Sequence, residues 1–194
     1  AAAGLSLTDD AAVAERAGLA VTIIAGSQDN VKITTAEDLA RARRSIESQS
    51  GTIRVGSGFD AHRFGPGDHV VLCGISIPHS HGLAGHSDAD PALHALTDAV
   101  LSTLSEGDIG VHFPSTDARW KDSDSSKFLE FATRRVKERN GKIIHLTITI
   151  ICETPKIGSH RHAMRSHIAK LAGITLDQIS VQATTTDGLG FTGR

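Results

Sequence analysis

The sequence predicts an α+β fold, a mostly antiparallel sheet with helices gathered on one face. Three observations carry this. The run His145-Leu-Thr-Ile-Thr-Ile150 alternates apolar and polar residues, as a strand buried on one side does. Phe128, Leu129, Ala132 and Val136 recur at i, i+1, i+4 and i+8, the apolar stripe of a helix that faces a core. Strand-like and helix-like segments follow one another without the regular strand–helix–strand alternation of a parallel sheet.

Taken in order, the first elements are a helix over 9–18, a strand at Val21-Thr-Ile-Ile-Ala25 and a helix over 36–47. The last is opened by Thr34-Thr-Ala-Glu37, a capping-box pattern. Polar Ser48-Gln49-Ser50-Gly51 then marks a boundary near 48–52, dividing the chain into domains 1–50 and 52–194. A domain of roughly 50 residues rarely sustains a core unaided. Beyond the boundary, strands are predicted at 53–58, 69–73, 75–78, 143–153 and 179–184, the second and third forming a hairpin. Helices are predicted over 91–104, 125–139 and 159–172. The first has Asp90 at its N-cap and Pro91 in its first turn.

The 194 residues are 39% hydrophobic and 22% charged, enough for one ordinary core and a small appendage. A net charge of -2 argues against nucleic acid as a partner. No apolar run approaches the ~20 residues that span a membrane. Asp9, Asp10 and Glu15 replace the basic start of a signal peptide. Cys73 and Cys152 lie in separate apolar runs, as buried thiols of a reducing compartment would, so a cytoplasmic location is expected. The start at Ala1 without Met suggests a piece of a longer protein.

The chemistry concentrates in Gly58-Phe-Asp60-Ala-His62 and His86-Ser-Asp88-Ala-Asp90-Pro-Ala-Leu-His94. Asp60 and His62 leave the same face of an extended segment and can chelate one ion. His94 falls about one turn inside the helix that follows Asp90. One carboxylate and two imidazoles suit zinc, and three protein ligands leave a fourth position for substrate. Asp98, four residues after His94, either accepts its second ring N–H or is a solvated surface residue. His79 and His81 sit in a polar turn without a carboxylate partner and are read as exposed. Lys156 after Pro155 offers a fixed cation to a diphosphate. Thr184-Thr185-Thr186-Asp187 before Gly188 offers hydroxyls and a carboxylate at a strand end, suited to an anion and a hard cation such as Mg²⁺ or Mn²⁺. Gly56-x-Gly58 alone is a weak phosphate-loop signal.

These residues carry a resemblance. The runs Arg54–His62, Gly85–Asp90, His94–Asp98, Gly107–Gly110, Phe113–Asp117, Pro155–Lys156 and Ala183–Arg194 closely resemble the 2-C-methyl-D-erythritol 2,4-cyclodiphosphate synthase family, in its order and spacing. Residues 26–39 resemble the tail of the cytidylyltransferase that is fused ahead of this enzyme in some bacteria, without its nucleotide-binding half.

The resemblance implies a bacterial homotrimer, an α/β sandwich with active sites at subunit interfaces. It implies a phosphorus–oxygen lyase reaction in isoprenoid precursor synthesis, releasing CMP from a cytidine diphosphate substrate. Metal would lie on Asp60, His62 and His94, with a second ion at Asp187, where the family more often has Glu. His86 and Thr185 would stabilise the transition state. Asp60, Ala61, His62, Ser87, Asp108, Ile109 and Gly110 would contact substrate, as would Phe113, Pro114, Ser115, Thr116 and Asp117. Cys152, Glu153, Thr154, Pro155, Lys156, Ile157 and Gly158, with Thr184, Thr186 and Asp187, would cradle the cytidine diphosphate, and Phe191 and Arg194 match further binding positions. The family continues into one more strand beyond Arg194. Two rivals remain: a phosphohydrolase using the same ions to activate water, and a non-catalytic binder of isoprenoid diphosphates, which would have no use for the three metal ligands.

Overall fold

A computed structural model describes residues 10–22, 24–27, 30–49, 51–85, 87–121 and 123–190. Of the expected site residues, His86, Phe191 and Arg194 lie outside the described residues. The chain separates into two compact units, Ala1–Thr52 and Ile53–Arg194.

The first unit holds α1 (Asp10–Arg16) and α2 (Ala36–Gln49). Both match the expectation within two or three residues at each end. The capping box is shifted by one residue: Thr35, not Thr34, caps α2. Asp38 N–H donates to Thr35 Oγ1 at 3.1 Å, and Thr35 N–H donates back to Asp38 Oδ2 at 3.0 Å. Hydrogen bonds to its carboxylate from the Thr35 side chain first, then from the backbone N–H groups of Thr34 and Thr35, lower the Asp38 pKa to about 2. The strand expected at 21–25 is not formed among the described residues there. A strand needs a neighbour to take its backbone hydrogen bonds, and Val21 and Ile24 stay exposed.

Among the described residues, the second unit holds three two-stranded sheets. Strands β1 (Phe64–Gly65) and β4 (Gly82–Leu83) pair antiparallel, as do β2 (His69–Leu72) and β3 (Ile75–Pro78), the expected hairpin. Its turn residues Cys73 and Gly74 have φ of 54° and 76°, the pair of positive values that a tight two-residue hairpin requires. The third sheet corrects the antiparallel expectation. Strands β5 (Leu146–Ile151) and β6 (Ile179–Thr184) run parallel, from Leu146 opposite Ile179 to Ile151 opposite Thr184. Parallel neighbours need a crossover, and α6 (Arg161–Ala172) supplies it. The alternation of β5 reads as expected, with Leu146, Ile148 and Ile150 buried and Thr147, Thr149 and Ile151 exposed.

Helix α3 (Pro91–Leu104) packs on α5 (Ser126–Glu138), which packs on α6. Leu93, Leu96, Val100 and Leu101 of α3 meet Leu129, Ala132 and Val136 of α5, Met164 and Ile168 of α6, and the inner face of β5 in one cluster. Each large side chain here contributes about 1.5–3 kcal/mol by leaving water. The stripe read from the sequence, Phe128, Leu129, Ala132 and Val136, is buried throughout.

The strand expected at 53–58 does not form. This segment lies against α3 instead: a methyl group on Gly56 would stand 2.1 Å from the Ala99 carbonyl oxygen, and one on Gly58 2.1 Å from that of Ala95. A helix has no free backbone row to pair with, so the segment runs along it without a partner strand. No helix among the described residues is long and apolar enough to cross a membrane.

Candidate metal centre

The close approach of Gly58 to α3 delivers Asp60 and His62 to the first turn of that helix, where His94 sits. The helix start is tightly specified. The buried carboxylate of Asp90 accepts N–H groups from Ala92 and Leu93, each at 3.0 Å, and His94 N–H donates to the Asp90 carbonyl at 3.2 Å. Asp60, His62 and His94 each offer one ligand atom, all within 4.8 Å of one another. His62 Nε2 and His94 Nδ1 each lie 3.0 Å from Asp60 Oδ2, and the two rings meet edge to face at 5.5 Å. Burial alone would raise the Asp60 pKa, but hydrogen bonds from His62 and then His94 hold it well below the usual carboxylate range. The other His62 nitrogen, Nδ1, is buried without a partner among the described residues.

Two imidazole nitrogens and one carboxylate oxygen converging without thiolate fit a divalent ion with an open coordination position. The triad is the one such cluster of three or more His, Cys, Asp or Glu among the described residues. Asp187 belongs to no such cluster.

The triad lines a cleft of about 300 Å³, together with Ser87, Asp98, Ile109, Gly110, Phe113, Ser115, Asp117, Trp120, Lys121 and Phe128. Ser87, Ile109 and Gly110, expected to contact substrate, therefore share the cleft with the metal ligands. Asp108 stands just outside, capping the short α4 (Ile109–His112) through Val111 N–H at 3.1 Å. Ala61 N–H donates to Asp60 Oδ1 at 2.8 Å. Pro114 and Thr116 are exposed and do not line the cleft. Asp117 is paired with Arg119, Nη2 to Oδ2 at 2.6 Å, which keeps its carboxyl below the usual range.

The remaining expected residues form a second group. Cys152 N–H donates to the Thr184 carbonyl at 3.1 Å, joining the 152–158 segment to the end of β6. Gly188 N–H donates to Glu153 Oε1 at 3.2 Å, Lys156 Nζ to the Glu153 carbonyl at 3.3 Å, and Thr185 Oγ1 to Asp187 Oδ1 at 3.2 Å. Asp187 has φ of 52°, and Thr154–Pro155 is cis. None of these residues lines the cleft of the triad.

Two side chains differ from the sequence reading. Asp98 does not reach the His94 ring; Asp98 Oδ1 accepts Ile109 N–H at 2.7 Å. The second ring nitrogen of His94 lies 2.9 Å from Ser125 Oγ and 3.0 Å from Ser87 Oγ. His79 is half-buried, not exposed: it stacks on Phe64 at 5.0 Å and places Nε2 3.0 Å from Thr154 Oγ1. Trp120 and Phe128 in the cleft were missed as site residues. Phe128 reads correctly as core, and Trp120 could have been found from its place three residues after Asp117.

Residues 53–194 match the family described as the YgbB family, and residues 1–48 match 2-C-methyl-D-erythritol 4-phosphate cytidylyltransferase. The bifunctional enzyme IspD/IspF of Paramagnetospirillum magneticum is 57% identical over 192 residues, 98% of this chain and 50% of that protein. The chain thus spans about half the length of the curated relatives it matches. A solved 2C-methyl-D-erythritol-2,4-cyclodiphosphate synthase is 42% identical with a TM-score of 0.67, covering 70% of this chain and 91% of the other. A second structure of such a synthase, in a form bound to CDP, is 41% identical with a TM-score of 0.66 at the same coverage.

Proposed function

This chain belongs to the YgbB family, and on that premise we propose that its 53–194 unit closes the ring of 2-C-methyl-D-erythritol 2,4-cyclodiphosphate. In 4-diphosphocytidyl-2-C-methyl-D-erythritol 2-phosphate, an oxygen of the 2-phosphate attacks the β-phosphorus. The bond from that phosphorus to the bridging oxygen breaks, and CMP leaves with that oxygen. No protein nucleophile is required, so rate enhancement comes from positioning and charge neutralisation. The observation that carries this reading is the convergence of Asp60, His62 and His94 in the lining of one cleft.

Zinc is the ion proposed for the triad; when bound it polarises a phosphate oxygen as a Lewis acid. Ser87, Ile109 and Gly110 then orient the erythritol portion in the cleft, and Phe113 with Trp120 and Phe128 exclude water behind it. His86 and Thr185 are proposed to steady the charge that builds on the reacting phosphates. The 152–158 segment with Thr184 is proposed to cradle the cytidine diphosphate, as supported by its backbone links to the 184–188 turn. Asp187 is proposed to bind Mg²⁺ or Mn²⁺ together with substrate phosphates. Because this second group lies apart from the cleft in one chain, a homotrimer in which one copy offers the cleft and its neighbour the cradle would complete the site.

The 1–48 segment is proposed to be the tail of a fused cytidylyltransferase, and the chain alone is expected to perform no cytidylyl transfer. Incubation of the chain with the cytidylylated substrate, zinc and Mg²⁺ tests the reading. It predicts CMP together with a cyclic diphosphate; linear phosphate products would identify a hydrolase instead.

A further inference from the structure

Behind the metal triad, Asp88, Ser125 and the His94 ring form a hydrogen-bonded chain. Ser125 N–H donates to Asp88 Oδ2 at 3.1 Å, and the Ser125 hydroxyl donates to Asp88 Oδ1 at 2.5 Å. An ionised carboxylate can only accept, so the single hydroxyl proton of Ser125 is committed to Asp88. Ser125 Oγ is left as an acceptor, 2.9 Å from His94 Nε2. Ser87 Oγ, 3.2 Å from Ser125 Oγ and 3.0 Å from His94 Nε2, adds a second contact on the same nitrogen. The hydrogen bond to Ser125 thus requires the His94 proton on Nε2. Nδ1 is the atom that faces Asp60 and His62, and when a metal ion takes the place of the proton it shares with Asp60, a ring protonated on Nε2 presents the Nδ1 lone pair to that ion.

We propose that Ser125 and Asp88 are positioning residues that fix the tautomer and ring direction of His94, so that Nδ1 is held ready for the metal ion. The proposal rests on reading the triad as a metal centre. It assigns to these residues the role that residue spacing suggested for Asp98. Asp98 serves α4 instead, through Ile109 N–H. Outer partners of this kind typically change metal affinity by about 10- to 100-fold.

The test is zinc affinity of the full chain, measured by competition with a chromophoric chelator, together with the visible spectrum of the Co²⁺-substituted protein. Ser125→Ala should weaken zinc binding by about 10-fold and the double variant Ser87→Ala/Ser125→Ala by up to about 100-fold, each with an unchanged circular-dichroism spectrum. The Co²⁺ bands should shift in both. Asp98→Asn, which leaves the chain behind His94 intact, should bind zinc as wild type does. A folded double variant with wild-type zinc affinity and Co²⁺ bands overturns the proposal while leaving the triad reading standing. A wild-type chain that takes up no zinc overturns both.

Discussion

The Asp90 carboxylate accepts the backbone N–H of Gly74 at 2.6 Å, tying the first turn of α3 to the tip of the β2–β3 hairpin. The same side chain accepts Cys73 N–H at 3.0 Å as well as the two N–H groups it caps in α3. It is wholly buried, and burial pushes its pKa up to about 6 against the pull of these donors. An amide in its place would turn an NH₂ group toward N–H donors. Asp90→Asn should therefore cost about 2–3 kcal/mol in chemical denaturation, mostly from unsatisfied buried donors. A loss below about 0.5 kcal/mol, the level of a bare surface substitution, would show that the clamp is not needed.

Gly58 is the point at which the metal-ligand segment touches α3. Gly58→Ala places a methyl group 2.1 Å from the Ala95 carbonyl oxygen, so the segment must move away from the helix. The expected outcome is a stability loss of about 1–3 kcal/mol with weaker zinc binding. Wild-type affinity in this variant would mean that Asp60 and His62 reach His94 without that contact.

Glu106 receives Arg135 Nε at 2.9 Å and Nη2 at 3.0 Å, together with Arg139 Nη2. These pairs, that with Arg135 first, hold its pKa below the usual range. A lowered folded-state pKa adds stability that is complete above the unfolded value of about 4.3 and is lost as pH falls through the folded value. The Tm of Glu106→Gln should lie below wild type at pH 7, and the gap should close from about pH 4 downward. A gap that stays constant into acid would contradict the pairing.

His79 Nδ1 lies 2.9 Å from the His81 carbonyl oxygen and 3.1 Å from the His81 backbone nitrogen, and its Nε2 lies 3.0 Å from Thr154 Oγ1 in the proposed cytidine cradle. His79→Phe keeps a ring on Phe64 and removes the hydrogen bond to Thr154. KM should rise about 5- to 10-fold, the equivalent of one hydrogen bond of about 1 kcal/mol, with kcat nearly unchanged. An unaltered KM would confine His79 to packing.

The parts of the fold legible in the sequence were those set by local pattern: the α5 stripe, the alternation of β5, the hairpin about Cys73-Gly74 and the Asp90 cap. The parts that were not legible depend on what a segment meets at long range. Residues 53–58 have strand composition, but α3 and not a strand lies beside them, a fact announced only by Gly56 and Gly58. The parallel direction of β5 and β6 is set by the α6 crossover, which alternation along one strand does not encode. In the site, Asp60, His62 and His94 follow from spacing and a helix start. Ser125 comes from 31 residues beyond His94, so no periodicity could place it there, while Asp98 had the right spacing and a better donor at Ile109.

The triad cleft is proposed to serve ring closure with release of CMP. Phosphorus-31 NMR of the products, recorded with the zinc-loaded chain and with Asp60→Ala, tests it most directly. The account predicts a cyclic diphosphate and CMP in equal amounts from wild type, and neither from a folded Asp60→Ala chain. Linear phosphates from wild type, or undiminished cyclisation without Asp60, would contradict it.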